Sequence, residues 1–320
     1  MKLRVIARLI EIQRVLVRHG LDEFVRATHL YRPLRFVFLL SPWTWAVRKG
    51  DEPRAVRLRE ALEELGPIFV KFGQALSTRR DLLPPDIAEE LAKLQDRVPP
   101  FDGRIARGII EAAYGRSVEQ VFSSFDEQPL AAASIAQVHA AELRPEVALN
   151  GARTREVVVK VLRPGMHEII ARDLEVLHAL AAFAADNWEG SRRLKPVEIV
   201  REYEKTIIDE LDLMREAANA SQLRRNWETS TLLYVPAVHF DFCRPEVLVL
   251  ERIRGVQISN MARLREAGTD IKRLAENGVE IFFTQVFRHN FFHADMRGRS
   301  RSSAIPAPAR PASSTRSRGS

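Results

Sequence analysis

The sequence predicts an α+β fold in which helices lead, strands follow and helices return, and three stretches carry the prediction. Between residues 54 and 95, Leu58, Leu62, Leu65, Phe69 and Phe72 fall at helical spacing. Val157-Val158-Val159-Lys160 and Val247-Leu248-Val249-Leu250 are short aliphatic runs that read as strands buried on both faces, the first closed by its lysine. From Pro196 to Trp227 the helical period returns, with Val200, Tyr203, Ile207, Leu211 and Met214 as one apolar stripe. At 320 residues there is room for one large domain or two smaller ones, and 46% hydrophobic residues suffice for a core.

At the N-terminus, Met1 to Leu16 mixes basic and apolar residues. Arg8, Glu11 and Arg14 interrupt any secretory apolar run, so it reads as an amphipathic helix. The aromatic run 36–45, flanked by Arg32, Arg35 and Arg48, suits a membrane-surface contact and equally a helix docked on the protein's own core. No run of eighteen apolar residues occurs, so no helix of this chain is expected to span a bilayer. Gly66-Pro67 breaks the first helical stretch, Pro84-Pro85 starts the next, and Pro99-Pro100 closes the unit. Phe101 to Tyr114 is helical, a strand–loop–strand passage runs through Val161, and Gly165 to Ala185 is another helix. After the strand ending at Leu250, residues 251–255 leave as a linker. Leu274 to Phe287 is helical, and Phe291-Phe292-His293-Ala294-Asp295 follows.

The net charge of +7 points first to nucleic acid, but its location argues otherwise. Six of the 49 basic residues lie in 296–320, which holds no acid, and the remainder is near neutral, 43 basic against 42 acidic. No nucleic-acid partner is expected. Cys243 is the only cysteine, which excludes an intrachain disulfide and a cysteine metal cluster and fits a reduced compartment. The Arg/Ser/Ala/Pro composition of 296–320 cannot offset chain ordering by burial, so disorder is expected there. That bias is also what GC-rich coding DNA yields out of frame, so a truncated or frame-shifted product is expected.

Lys160 is the most informative single residue. A lysine at the end of a buried strand needs an anionic partner, because an unpaired buried ammonium costs several kcal/mol; the alternative is a side chain that snorkels to solvent. Ahead of it, Leu130-Ala-Ala-Ala-Ser-Ile-Ala136 is a small-residue loop where nucleotide enzymes place a phosphate cover. It has alanine in place of glycine, and alanine avoids φ > 0, so this loop should be stiff. Two further signatures accompany it. Lys71-Phe72-Gly73-Gln74 leads into Arg80-Asp81-Leu82-Leu83-Pro84-Pro85, and Asp209-Glu210-Leu211-Asp212 leads to Glu216. Together these resemble the UbiB/ADCK family of atypical kinase-like proteins, closest to its bacterial ubiquinone-biosynthesis branch, over roughly residues 1 to 295.

The resemblance implies a protein-kinase-like fold with an N-terminal helical extension and a truncated large lobe. Its parts would be 1–57, helical with a possible membrane-surface segment; 58–128, the extension carrying Lys-x-Gly-Gln; 129–255, the small lobe; 256–295, the start of the large lobe; and the tail 296–320. It implies ATP and Mg²⁺ as cofactors. Lys160 and Asp295 would be catalytic. Ala131, Ala132, Ala133, Ser134, Ile135, Lys160, Glu216 and Glu251 would contact nucleotide, with Glu216 pairing Lys160 and Glu251 at the adenine-binding linker. Lys71 and Gln74, one helical turn apart and so pointing the same way, would engage Glu210 and Asp212 across the nucleotide site. Glu216 shares a helix face with Asp212 at i, i+4 spacing. The bland alternatives are a polar helix face for Lys71, an exposed helical carboxylate for Glu216 and a packed turn for 131–135.

The function so implied is an ATPase supporting ubiquinone biosynthesis on polyprenyl quinone precursors, beside other proteins of that route. It would sit peripherally on the cytoplasmic face of the bacterial inner membrane. The asparagine and later Asp-x-Gly that hold Mg²⁺ in such folds are missing, so no metal ligands are assigned. A catalytically deficient nucleotide- or lipid-binding scaffold is therefore the alternative. A ring hydroxylase is disfavoured, since the chain has neither a Gly-x-Gly-x-x-Gly fingerprint nor an iron-ligand cluster. A shortened large lobe would expose Phe282, Phe283, Val286, Phe287, Phe291 and Phe292.

Overall fold

The computed structural model describes residues 3–21, 52–77, 83–95, 99–146, 155–187, 195–256, 258, 260–291 and 305–306. The run at 36–45, Phe292, Asp295 and nearly all of 296–320 lie outside them. Among the described residues no helix is long and apolar enough to cross a membrane.

An antiparallel sheet organises the centre. Its strands are β1 (Phe122–Phe125), β2 (Ala131–Ala132), β3 (Ala136–Leu143), β4 (Glu156–Leu162) and β5 (Val247–Glu251). The order is β1-β3-β4-β5, with β2 also pairing β3. In register, Val159 faces Val249 and Lys160 faces Leu248. Side chains alternate across a strand, so Val157, Val159, Val161, Val247 and Val249 share one face. They pack with Ala106 and Ile110 of α5 (Gly103–Tyr114). Each such buried aliphatic side chain stabilises by about 1.5–3 kcal/mol. The other face carries Leu162 and Leu248 and packs against helices described below.

This alternation corrects the expectation that the valine run is buried on both faces. Val158 is only half-buried, because it shares its face with Lys160, whose ammonium needs solvent or a partner. Nor does Lys160 close the strand, since β4 runs on through Val161 to Leu162.

The helical extension consists of α1 (Leu3–Arg18), α2 (Arg54–Leu65), α3 (Pro67–Ser77) and α4 (Pro85–Ala92). Gly66, at φ 106°, turns the chain between α2 and α3. Gly73 sits where α2, α3 and the end of α4 cross. A Cβ there would lie 2.4 Å from Leu94 Cδ1 and 2.8 Å from Leu62 Cδ1, which explains a glycine inside a helix. Phe72, expected on the apolar stripe, is instead 49% exposed. Phe69 of α3 still packs with Leu58 and Leu62 of α2, so the stripe holds across the Gly66-Pro67 break and ends before Phe72.

Beyond the sheet lie α6 (Met166–Asn187), α7 (Pro196–Glu210) and α8 (Leu213–Asn226). The stripe expected to run unbroken from Pro196 to Trp227 is thus divided. Asp212 Oδ1 accepts from Met214 N at 2.9 Å and caps α8. Aspartate is disfavoured inside a helix and favoured at its N-cap, so Asp212 stands before the helix rather than on one face of it with Glu216. Leu213 and Ala217 of α8, Ile170 and Leu174 of α6, and Ile207 and Leu211 complete the core with Leu162 and Leu248.

After β5 come β6 (Gly255–Val256), α9 (Met261–Glu266) and α10 (Ile271–Phe283), which continues as a π-turn over Thr284–Arg288. A two-residue strand, β7 (Ile305–Pro306), pairs with β6. None of the α10 side chains is buried, Phe283 stacks on Phe287 at 5.6 Å, and Phe287 is 75% exposed.

His139 of β3 gives a pH-dependence that can be measured. It is fully buried; Nδ1–H donates to Asp126 O at 2.8 Å, and Nε2 accepts from Gln137 Nε2 at 2.9 Å. The neutral ring is therefore fully satisfied, and burial pushes its pKa below the ordinary 6.5. The unfolded chain protonates first, so this residue's stability contribution is intact above about pH 6.5 and falls as the pH drops below it. Urea midpoints should decline from pH 7.5 to 5.5, and His139→Gln should flatten that slope.

Candidate functional site

Lys160 stands on the sheet face opposite the valine core. Its Nζ lies 2.5 Å from Glu216 Oε2, so the structure brings these two predicted residues together. Glu216 is placed by three features: the Asp212 cap, Leu213 and Ala217 seated in the core with Leu248, and a position in the first turn of α8 where the helix dipole favours a carboxylate.

Pairing places the small-residue loop beside this ion pair. Ala131 faces Val138, Val138 faces Lys160, and Lys160 faces Leu248, so the four form one cross-strand row on one face. At about 4.8 Å per strand spacing, Ala131 stands about 10 Å from Lys160 across the sheet. After β2 the chain turns tightly, with Ala133 N donating to Ala136 O at 2.8 Å and Ser134 and Ile135 buried.

Arg163, which sequence reasoning missed, locks the turn. Its Nε donates to Ala133 O at 3.0 Å, its Nη2 to Pro99 O at 2.6 Å, and its backbone N to Ile135 O at 2.8 Å. The guanidinium stacks 5.6 Å from the Phe101 ring centroid, and burial lowers its pKa. Gln137, also missed, grips Phe101 from both sides, accepting from its N–H at 3.1 Å and donating to its carbonyl at 3.2 Å. The stiffness expected of alanines therefore has a second source, anchorage to residues 99–101. A signal for Gln137 was present: an amide between Ala136 and Val138 of a strand must find buried partners.

Lys71 Nζ of α3 lies 2.6 Å from Glu210 Oε2, an oxygen otherwise buried without a hydrogen bond. Gln74 does not join them; its Nε2 donates to Leu94 O at 3.3 Å. Asp212 serves as the α8 cap. Of the four residues expected to engage one another, the structure joins Lys71 with Glu210 and sends the other two elsewhere. The joined pair ties the extension to the α7–α8 turn, just ahead of Glu216.

Glu251 faces Val157 in register, one residue out of phase with Lys160. Its carboxylate accepts from Tyr234 Oη at 2.7 Å and from Ala237 N at 3.0 Å. The side chain is thus engaged with 234–237 rather than with the Lys160 face, and its backbone N donates to Ala237 O at 2.9 Å. Asp295 lies outside the described residues. Among the described residues no group of three or more His, Cys, Asp and Glu side chains converges as a metal site.

A strand lysine paired with a helix glutamate beside a short small-residue turn, on an antiparallel sheet with helices on both faces, is a kinase-like arrangement. The chain belongs to the ABC1 atypical kinase-like family, whose domain model matches residues 93–298. Among its relatives, a probable protein kinase UbiB of Pseudomonas putida strain W619 is 58% identical over 92% of this chain and 54% of its own length. The probable protein kinase UbiB of Pseudomonas fluorescens strain Pf0-1 is 56% identical over the same shares. That of Azotobacter vinelandii strain DJ is 55% identical, again over 92% and 54%. The chain therefore spans about half the length of the curated relatives it matches. Among solved structures, the complex of Rv3197 with erythromycin from Mycobacterium tuberculosis is 28% identical. It has a TM-score of 0.49 and covers 71% of this chain and 55% of that one.

Proposed function

We propose that this chain carries the nucleotide-binding lobe of an atypical kinase-like ATPase that supports ubiquinone biosynthesis, acting on polyprenyl quinone precursors. In this reading it works peripherally at the cytoplasmic face of the bacterial inner membrane with other proteins of that route. The observation that carries the reading is the 2.5 Å Lys160–Glu216 pair on the helix-covered side of the sheet. The carboxylate holds the ammonium pointed outward, where it meets phosphate oxygens of ATP. The 131–135 turn covers those phosphates, held rigid by Arg163. Asp295 accepts the proton of the attacking hydroxyl or water. Ile6 and Ile10, exposed at i, i+4 on one face of α1, support contact with a membrane surface.

The second reading is a nucleotide- or lipid-binding scaffold without turnover. One experiment separates them: titrate a fluorescent ATP analogue into the chain and its Lys160→Ala variant, and assay phosphate release by both. Affinity should fall at least about tenfold in the variant, in line with loss of a charge-assisted bond of about 1.5–3 kcal/mol. Unchanged affinity would overturn the ATPase and the nucleotide-binding scaffold, leaving a lipid-binding scaffold as the surviving form of the second reading. Phosphate release by the parent that Lys160→Ala abolishes would exclude the scaffold.

A further inference from the structure

We propose that Arg224, Tyr234 and Glu251 form a clasp that positions α8, and through it Glu216, against the linker leaving β5. The inference rests on the nucleotide reading above and assigns that site three positioning residues.

The clasp is compact. Tyr234 Oη donates to the Glu251 carboxylate, 2.7 Å from each oxygen, and Ala237 N donates to the same group at 3.0 Å. From α8, Arg224 Nη1 donates to Val235 O at 2.6 Å, and the guanidinium lies 5.8 Å from the Tyr234 ring centroid. Arg224 Nη1 also stands 3.9 Å from Glu251 Oε2, so charge attraction reinforces the ring contact. Burial raises the Tyr234 pKa, as does its bond to Glu251, which keeps the hydroxyl a donor.

The consequence follows from helix geometry. Glu216 and Arg224 lie on one 14-residue helix, eight residues apart, or about 12 Å along its axis. At its N-terminal end α8 is seated by Leu213 and Ala217. At its C-terminal end the clasp ties it to β5 at the residue where the linker begins. A straight helix pinned at both ends has one orientation, and that orientation sets whether Glu216 reaches Lys160. Whatever occupies the linker is thereby coupled through α8 to the lysine pair, with Glu251 as the joint between them.

The alternative is that the clasp only stabilises the 234–251 region. Hydrogen exchange and nucleotide affinity together decide. In Glu251→Gln, and in the milder Tyr234→Phe, amides of 213–219 should exchange faster although they are remote from the substitution. Each variant should weaken binding of the fluorescent ATP analogue about three- to tenfold in the parent chain, yet by less than twofold in a Glu216→Gln background. Exchange changes confined to 224–251, or affinity losses that add fully to that of Glu216→Gln, would overturn the clasp's role. If the parent chain binds no nucleotide while exchange still spreads to 213–219, the nucleotide reading fails and the positioning of α8 stands. Tyr234→Phe keeps the inference testable if Glu251→Gln does not fold.

Discussion

Replacing Asp173 by alanine is expected to cost about 3–5 kcal/mol, the scale for breaking a buried ion pair. Arg8 of α1 is only 4% exposed. Its Nε meets Asp173 Oδ1 at 2.8 Å, and its Nη2 meets Oδ2 at 2.9 Å and Leu65 O at 2.6 Å. One guanidinium therefore ties α1, the end of α2 and α6 together. Without Asp173, the buried charge keeps the Leu65 carbonyl, the Phe69 ring face and Glu11, which is largely solvent-exposed. Total domain stability is usually about 5–15 kcal/mol, so the urea midpoint should fall by a large fraction. A change under about 1 kcal/mol would mean that α1 is not docked on α6 in solution. The joint variant Arg8→Met/Asp173→Leu should recover most of the loss, because two apolar groups leave no charge stranded.

Periodicity and turn residues made much of this fold legible. The aliphatic runs at 157–159 and 247–250 are strands, the breaks at Gly66 and Pro84-Pro85 are where the chain predicts them, and Lys160 has the anionic partner its position demanded. What remained hidden depended on phase and on distant partners. A run of three valines cannot say which of them shares a face with Lys160; pairing with β3 and β5 decides that Val158 does. The stripe from Pro196 to Trp227 keeps its period across Leu211, so only the capping bond of Asp212 reveals two helices. Arg8 read as an interruption of an apolar segment, since its partner lies 165 residues away. Glu251 read as part of a linker because Tyr234, which binds it, belongs to no periodic segment. Buried polar residues are the least legible class: their burial is tolerable only through partners that topology supplies.

Leu248→Ala should be the most damaging single substitution for the site that touches no ligand. Leu248 is fully buried, lies opposite Lys160 in register, and packs in one cluster with Leu213 and Ala217. Truncation should cost about 2–5 kcal/mol, the range for leucine to alanine in a core. Whatever part of the cavity closes does so by movement of α8, because neighbouring strands are fixed by their ladder hydrogen bonds. Glu216 then moves with respect to Lys160, and affinity for the ATP analogue should fall with stability. Val249→Ala is the control. It empties space on the opposite face, among Ala106, Ile110 and the β4 valines, at about 0.8 kcal/mol per methylene plus its cavity. Because that face is remote from α8, Val249→Ala should lower the urea midpoint and leave nucleotide affinity within twofold. Equal loss of affinity in both variants would trace the effect to overall stability. Loss confined to Leu248→Ala would show that the packing of α8 on this face governs the lysine pair, since both truncations remove buried aliphatic volume from adjacent positions of one strand.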